Sequence, residues 1–188
     1  MAKTGYHHGD LRAAMLAAAA EQIAADGIDA VSLRALARRA GVSHAAPAHH
    51  FGDRAGLLTA LAAEGFGLLA AELEATSDAR AAAVAYIRFA LRYPGHFDVM
   101  FRRRLLRTED AELVAARARS SAALRSSVVD GRTGAPSVDQ QAVQLAAWSL
   151  VHGFASLWRE GALETSPLAS STDPETAAQR MLDTVRFE

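Results

Sequence analysis

Three histidines, His44, His49 and His50, lie close together in the first third of the sequence. Histidine can ligate a metal, transfer a proton or hydrogen-bond to another molecule near neutral pH. His44 and His49 are five residues apart, a poor spacing for one face of a helix, and the adjacent side chains of His49 and His50 point in different directions. We therefore expect no metal site here, but histidines that face solvent or a nucleic acid.

A further histidine, His152, lies within the apolar stretch 145–158. Such a residue is either a core side chain hydrogen-bonded to a neighbour or a pocket group that orients a ligand, and both interpretations stay open. An acid–base role would make the protein a helical enzyme, but no carboxylate pair, nucleophile motif or phosphate-binding loop lies near His152 in the sequence. We expect no enzyme, no catalytic residue, no cofactor and no metal.

Several aromatic residues lie at helical spacing and could form either plain core or the wall of a ligand pocket. Phe97, Phe101 and Trp148 are the pocket candidates, together with His152. The basic run 102–104 follows Phe101. We expect these charges to close a helix C-terminus rather than to bind phosphate, because the helix dipole favours cations there.

The composition predicts that helices position these residues. Of 188 residues, 51% are hydrophobic, many of them alanine, the strongest helix former, and only five are proline. The chain has no cysteine, which excludes disulfides and thiolate metal sites and fits a reducing compartment. The N-terminus lacks a secretory pattern, and the longest strongly apolar segment, 145–158, is too short to span a bilayer. We expect an all-α, cytoplasmic protein that does not bind a membrane.

The N-terminal part contains three predicted helices and the start of a fourth. An apolar residue recurs every four positions from Leu11 to Ile23 and predicts a helix over about 10–26, ended by Gly27. Ser32 is a suitable N-cap for a short helix over 33–40. The turn 41–43 joins it to a second short helix over 44–51, and an N-cap at residue 53 begins a long fourth helix.

Two short helices joined by a glycine turn, with an apolar helix before them, form a helix-turn-helix. The major groove of B-DNA accommodates one α-helix, while the preceding helix braces it across the backbone. The second helix carries alanine at positions 45, 46 and 48, which makes it narrow enough to enter a groove. The net charge of −1 gives no sign of nucleic-acid binding, so the prediction rests on the pattern.

The rest of the chain is predicted to form a helical bundle. Helices are expected at 78–93, around 97–101, and at 109–129, 138–163 and 174–187, with loops at 130–136 and 165–173. Gly153 is expected to permit the close approach of another helix.

Two sequence motifs resemble one known family. The sequence SLRALARRAGVS at 32–43, followed by HFGDR at 50–54, resembles the DNA-binding domain of TetR/AcrR-family transcriptional regulators over about residues 11–61. The sequence WSLVHG at 148–153, with FDVMF at 97–101 before it, resembles the Trp-His-Gly (WHG-type) regulatory domain of one subgroup.

The resemblance implies a DNA-binding head and a helical regulatory body. The head would be a three-helix helix-turn-helix domain over residues 1–53, and residues 54–188 would sense a ligand and form a homodimer. A small-molecule effector would release this repressor from a palindromic double-stranded DNA operator. The alternative is a helical ligand-binding protein whose DNA-binding head is weak or vestigial.

The resemblance also assigns roles to single residues. Ser32 and Arg34 would contact phosphate from the bracing helix, and Arg54 from the start of helix four. The remaining candidates lie along the recognition helix and its N-terminus, namely Ser43, His44, Ala45, Ala48, His49 and His50. Position 48 departs from the family, which commonly has a phosphate-gripping tyrosine there, so part of that task would pass to His49.

Overall fold

The computed structural model describes residues 8–39, 41–43, 45–128 and 138–185, with no description of the side chains of residues 8–10, 45, 46 and 128. Within these ranges the chain is all-α and contains no strand, which confirms the predicted fold class. The α-helices, in chain order from α1 to α10, are His8–Asp26, Leu33–Arg39, Ala45–Phe51, Arg54–Glu74, Ala79–Arg92, Pro94–Met100, Ala111–Val128, Val138–Arg159, Pro167–Ser171 and Pro174–Asp183. Two 3-10 turns cover Ile28–Ala30 and Arg103–Leu105.

Local capping defines the helix-turn-helix. The hydroxyl of Ser32 accepts a hydrogen bond from the N–H of Ala35 at 3.2 Å, which caps α2 as predicted. At the other end, Gly41 has a φ of 65°, and the N–H of Val42 donates to the carbonyl of Ala37 at 3.0 Å. This left-handed glycine satisfies carbonyls at the helix end and turns the chain toward α3. Residues 40 and 44 lie outside the described residues, so the capping role of Ser43 stays a prediction.

Helix α4 begins at the predicted cap. One carboxylate oxygen of Asp53 accepts a hydrogen bond from the N–H of Gly56 at 2.9 Å. That bond is the main cause that lowers the pKa of Asp53 below its usual value, and the nearby Arg107 lowers it further. The helix is long and apolar enough to cross a membrane, a feature that the sequence analysis missed, but 67% of its apolar window is buried inside the protein. It is therefore a core helix.

The described chain forms two compact units, the first of which contains residues 1–66 and 93–117. Its core includes the predicted apolar stripe of α1, because Met15, Ala19 and Ile23 are almost completely buried. Helix α6 packs against α1. The approach is close at Gly95, where an added Cβ atom would lie 2.1 Å from the carbonyl oxygen of Ala20.

The second unit contains residues 67–92 and 118–188. Helix α5 packs against both α8 and α10. Its buried face carries Tyr86 and Phe89, and α8 contributes Val151 and Ala155. Asp173 caps α10 by accepting the N–H of Thr176 at 3.0 Å. The unit boundaries differ from a division at residue 53, because α6 and the first half of α7 belong to the same unit as α1. The functional division into 1–53 and 54–188 stays a prediction.

Four local predictions were wrong. Helix α8 ends at Arg159 rather than near residue 163, because Gly161 adopts a φ of 71° and ends the helix. The predicted loop 165–173 contains the short helix α9. Helix α6 ends before the arginine run, and Arg103 and Arg104 lie in a separate 3-10 turn. Helix α10 ends at Asp183 rather than near residue 187. No heavy atom lies within 4 Å of a Cβ built on Gly153, so the close helix approach expected there is not made within the described chain and stays a prediction.

Candidate functional site

Helix α2 presents basic side chains to solvent. Arg34 and Arg38 are exposed, and neither forms an ion pair with another residue that the structure describes. The next residue, Arg39, is held by Glu21 of α1 at 2.8 Å. The hydroxyl of Ser32 is occupied by the helix cap, although its side chain is exposed. Arg34 is therefore available for an anion, while Ser32 has a structural role whether or not it meets one.

Helix α3 has one buried and one exposed side. Pro47 and Phe51 are buried and attach the helix to the rest of its unit, whereas Ala48 and His49 are exposed. His50 is half-buried and its ring lies 5.7 Å from that of His49. The predicted groove contacts His44 and the side chain of Ala45 lie outside the described residues. The exposed side is thus small and carries an imidazole at its C-terminal end.

Arg54 is engaged inside its own unit. Its guanidinium donates hydrogen bonds to the carbonyls of Ile28 at 2.7 Å and Val31 at 3.1 Å. It therefore fastens the start of α4 to the turn that precedes α2. A third contact, 3.7 Å from a carboxylate oxygen of Asp29, is longer and involves an almost fully exposed carboxylate. The role of Arg54 as a phosphate contact stays a prediction.

Sequence reasoning missed Arg107, which contacts the junction of α3 and α4. A guanidinium nitrogen of Arg107 lies 3.0 Å from Asp53, and its backbone N–H donates to the hydroxyl of Thr59 at 2.9 Å. Thr59 is buried and donates in turn to the carbonyl of Ala55 at 2.7 Å. No local pattern could have indicated this pairing, because 48 positions separate Arg107 from Thr59.

A second missed pair joins α4 to α6 in the same unit. A ring nitrogen of His96 lies 2.9 Å from a carboxylate oxygen of Glu64. His96 is buried, and its ring also packs edge-on against Tyr93 at 5.9 Å. Nearby, Gly65 leaves space for Met100, since an added Cβ would lie 2.7 Å from the sulfur of that methionine. Helix α6 is thus fixed by close packing and by one polar contact.

Two of the predicted pocket residues lie together in the first unit. The rings of Phe97 and Phe101 are 5.4 Å apart, and Phe101 meets Phe66 edge-on at 5.7 Å. The guanidinium of Arg117 lies 5.3 Å above the ring of Phe66. Burial lowers the pKa of Arg117, and the nearby charge of Arg103 lowers it further. The aromatic rings fill one another's space, and their role in ligand binding stays a prediction.

The other two, Trp148 and His152, lie in the second unit around Tyr86. The hydroxyl of Tyr86 is 2.9 Å from Nδ1 of His152 and accepts the indole N–H of Trp148 at 3.3 Å. Burial lowers the pKa of His152 and raises that of Tyr86. Both side chains are therefore neutral at pH 7, and the Tyr86 hydroxyl can donate to an unprotonated Nδ1. Tyr86 was missed because a single tyrosine in an alanine-rich helix gives no functional signal.

Comparison with known families agrees with this architecture. Residues 15–61 match the family model described as bacterial regulatory proteins, tetR family. Residues 79–185 match the model described as tetracyclin repressor-like, C-terminal domain. The Trp-His-Gly subgroup is not confirmed by these matches. No curated protein matches the chain.

Solved structures share the fold. A protein with unknown function from Rhodococcus sp. RHA1 is 36% identical, with 97% of this chain and 96% of that chain covered and a TM-score of 0.75. A tetR-family regulatory protein from Rhodococcus RHA1 is 23% identical over 93% of this chain and 94% of its own, with a TM-score of 0.69. The TetR-family regulator PfmR from Thermus thermophilus is also 23% identical, over 90% and 94%, with a TM-score of 0.64. Since the two family models match both parts of the sequence, this chain belongs to the TetR family of DNA-binding transcriptional repressors with a ligand-binding C-terminal domain.

Proposed function

We propose that this repressor acts in the cytoplasm as a homodimer that binds a palindromic operator and is released by a small-molecule effector. The observation that carries the proposal is the exposed side of α3, where Ala48 and His49 face solvent beside the basic helix α2. Pro47 and Phe51 fix the opposite side of α3, so the helix presents a rigid, narrow surface. A major groove accepts a helix of this kind with side chains reaching the base edges.

The residue at position 48 determines which side chains can contact the DNA backbone. Alanine there can contact a thymine methyl group but cannot hydrogen-bond to a phosphate. Arg34 and Arg38 are exposed on α2, and His49 is exposed at the end of α3. We assign phosphate contacts to these side chains and base contacts to the N-terminal residues of the recognition helix, including Ser43 and His44. Phosphate contacts supply affinity, whereas base contacts supply specificity.

The proposed dimer interface lies on α8. Val138, Leu145, Trp148 and Leu157 are the exposed large apolar residues of this helix, and Leu145 is 59% exposed. Val138 and Leu145 are seven residues apart and therefore share one face, with Trp148 one turn further. Gly153 leaves open space on the same helix, which suits close packing by a second copy. A Leu145→Lys variant should shift the protein from dimer to monomer in sedimentation experiments and abolish operator binding.

Selection of bound sequences from random DNA tests the main proposal. We expect a pseudo-palindrome with half-sites about 34–36 Å apart or a multiple of that distance. His44→Ala should then relax the preference at one base position in each half-site, while Arg34→Ala should weaken binding similarly on all sequences. A selection that returns no palindromic consensus contradicts the proposal.

DNA-binding measurements on the same purified protein distinguish the repressor from the alternative, a ligand-binding protein with a weak DNA-binding head. The substitution of the usual tyrosine by Ala48 is the observation that favours it. Non-specific DNA binding should be measurable at low salt if the head is competent, because phosphate contacts strengthen as salt falls. Tight binding of a ligand by a protein that shows no DNA affinity at low salt would support the alternative.

A further inference from the structure

The second compact unit contains a cavity of about 260 Å³ that no sequence motif indicated. Its walls come from the start of α5, the end of α7, the middle of α8 and the end of α10 with the residues that follow it. Small side chains leave the space open, since Ala79, Ala82, Ala83 and Ala147 all line it, together with the larger Leu124 and Leu182. None of the four predicted pocket residues is among its described lining residues: Trp148 and His152 lie elsewhere in the same unit, and Phe97 and Phe101 belong to the first unit.

The charge in the described lining of the cavity is paired with a carboxylate. Arg80 is the one charged residue among the described lining residues. Its guanidinium forms an ion pair with Asp183 and a hydrogen bond with the carbonyl of Gln179. The Arg80 side chain is 49% exposed. The hydroxyl of Ser127, also at the wall, donates to the carbonyl of Leu124 at 2.8 Å. The interior therefore offers apolar surface and no unpaired charge, so a charged ligand would lose its hydration without compensation.

One buried polar group on this helix face lacks a partner. Among the described side chains, Nε2 of Gln144 is buried and has no hydrogen bond. Gln144 is not itself a lining residue, but it follows the lining residue Val143 and lies seven residues before the lining residue Val151, which places it beside the cavity face of α8. A buried donor without an acceptor carries an unfavourable desolvation cost. A ligand oxygen would remove that cost.

We propose that this cavity binds a small uncharged molecule with an apolar body and one hydrogen-bond acceptor, such as a ketone or ester oxygen, which the amide of Gln144 recognises. The assignment rests on the proposed function in that the molecule would be the effector of this repressor. A dry cavity of about 150 Å³ accommodates benzene. The larger volume here therefore fits one ring with a short chain, on the order of ten non-hydrogen atoms.

The test uses butyrophenone and butylbenzene, which share an aryl and alkyl body but differ in the carbonyl oxygen. Binding to the full-length protein is measured by calorimetry. Ala147→Leu and Ala83→Leu each place three more carbon atoms in the cavity, from α8 and α5 respectively, and should reduce the affinity for both compounds at least tenfold. The matched control is Ala122→Leu, because Ala122 is exposed on α7, and it should leave both affinities unchanged.

Gln144→Leu tests the polar contact. It should lower the affinity for butyrophenone about three- to tenfold, the range for one uncharged hydrogen bond, and leave the affinity for butylbenzene unchanged. Equal butyrophenone affinity in the wild type and Gln144→Leu overturns the role of the amide. Failure of the wild type to bind either compound, or binding unaffected by both cavity-filling variants, overturns the site.

DNA binding measured without any ligand separates this inference from the proposed function. Operator binding by a protein that binds neither compound overturns the cavity assignment and leaves the DNA-binding function intact. Butyrophenone binding that is sensitive to Ala147→Leu supports the cavity even where DNA selection finds no operator, in which case the repressor proposal fails instead.

Discussion

The guanidinium of Arg107 lies 3.0 Å from Oδ1 of Asp53, the residue that caps α4 directly after the proposed recognition helix. The backbone of Arg107 is held at the same place, because its N–H donates to the hydroxyl of Thr59 in the second turn of α4. The connection between α6 and α7 is therefore fastened to the junction of α3 and α4 by one exposed ion pair and one buried hydrogen bond.

The buried contact should matter more for stability than the exposed one. Thr59→Val keeps the shape of the side chain but removes the acceptor for the Arg107 N–H, and should lower the free energy of unfolding by about 1–3 kcal/mol. Arg107→Ala removes the exposed guanidinium and keeps the backbone N–H, so it should cost less than Thr59→Val. Urea unfolding measures both, with Thr59→Ser as the control that retains the hydroxyl. A larger loss in Arg107→Ala than in Thr59→Val would contradict this ranking.

The contact between α1 and α6 should be intolerant of a single methyl group. In Gly95→Ala the new Cβ would lie 2.1 Å from the carbonyl oxygen of Ala20, and this backbone atom cannot rotate away. We expect a loss of about 1–3 kcal/mol from overpacking. Gly67→Ala is the matched control in α4, since no atom lies within 4 Å of its Cβ position.

Gly67→Ala should instead stabilise the protein by about 0.5–1 kcal/mol, because alanine favours the helix. Thermal unfolding of both variants gives the comparison. Equal effects of the two substitutions would contradict the close approach of α6 to α1.

Arg54 and Arg34 should separate stability from DNA affinity. Arg54→Ala loses hydrogen bonds to the carbonyls of Ile28 and Val31, and should destabilise the head by about 1–3 kcal/mol. Arg34 is exposed, so Arg34→Ala should leave unfolding unchanged and reduce the slope of log affinity against log salt by about one unit. Salt titrations of DNA binding and urea unfolding test the pair. Unchanged stability in Arg54→Ala would contradict the role of Arg54 in fastening the start of α4 to the turn before α2.

His152 should make stability depend on mildly acidic pH. Because burial lowers its pKa in the folded protein, the unfolded chain takes up a proton first, near the ordinary histidine value of about 6.5. The unfolded state then binds more protons than the folded state, so stability is complete above that pH and falls as the pH drops below it. Protonation of Nδ1 would also remove the acceptor for the Tyr86 hydroxyl.

The control is His152→Asn, which retains a hydrogen-bonding group close to Nδ1 but does not titrate in this range. The thermal midpoint of the wild type should fall more than that of His152→Asn between pH 7 and pH 5. Parallel pH profiles for the two proteins would contradict the assignment of a lowered pKa to His152.

The sequence by itself determined the helices and the helix-turn-helix, because these depend on bonds between near neighbours. Ser32 and Asp53 cap N–H groups three residues ahead, and Gly41 ends α2 with its own backbone. Such contacts form wherever the local pattern occurs, so the pattern reveals them. The resemblance to the family's DNA-binding domain followed from the same segment.

Only the tertiary structure decided which long side chains meet. Arg54, a predicted DNA contact, fastens the preceding turn, and Tyr86 meets His152 across 66 positions. The cavity likewise exists because four alanines from two helices line the same space. The partners of a guanidinium or a hydroxyl, and the space beside an alanine, depend on helix packing. Packing brings together residues whose separation along the chain carries no local signal.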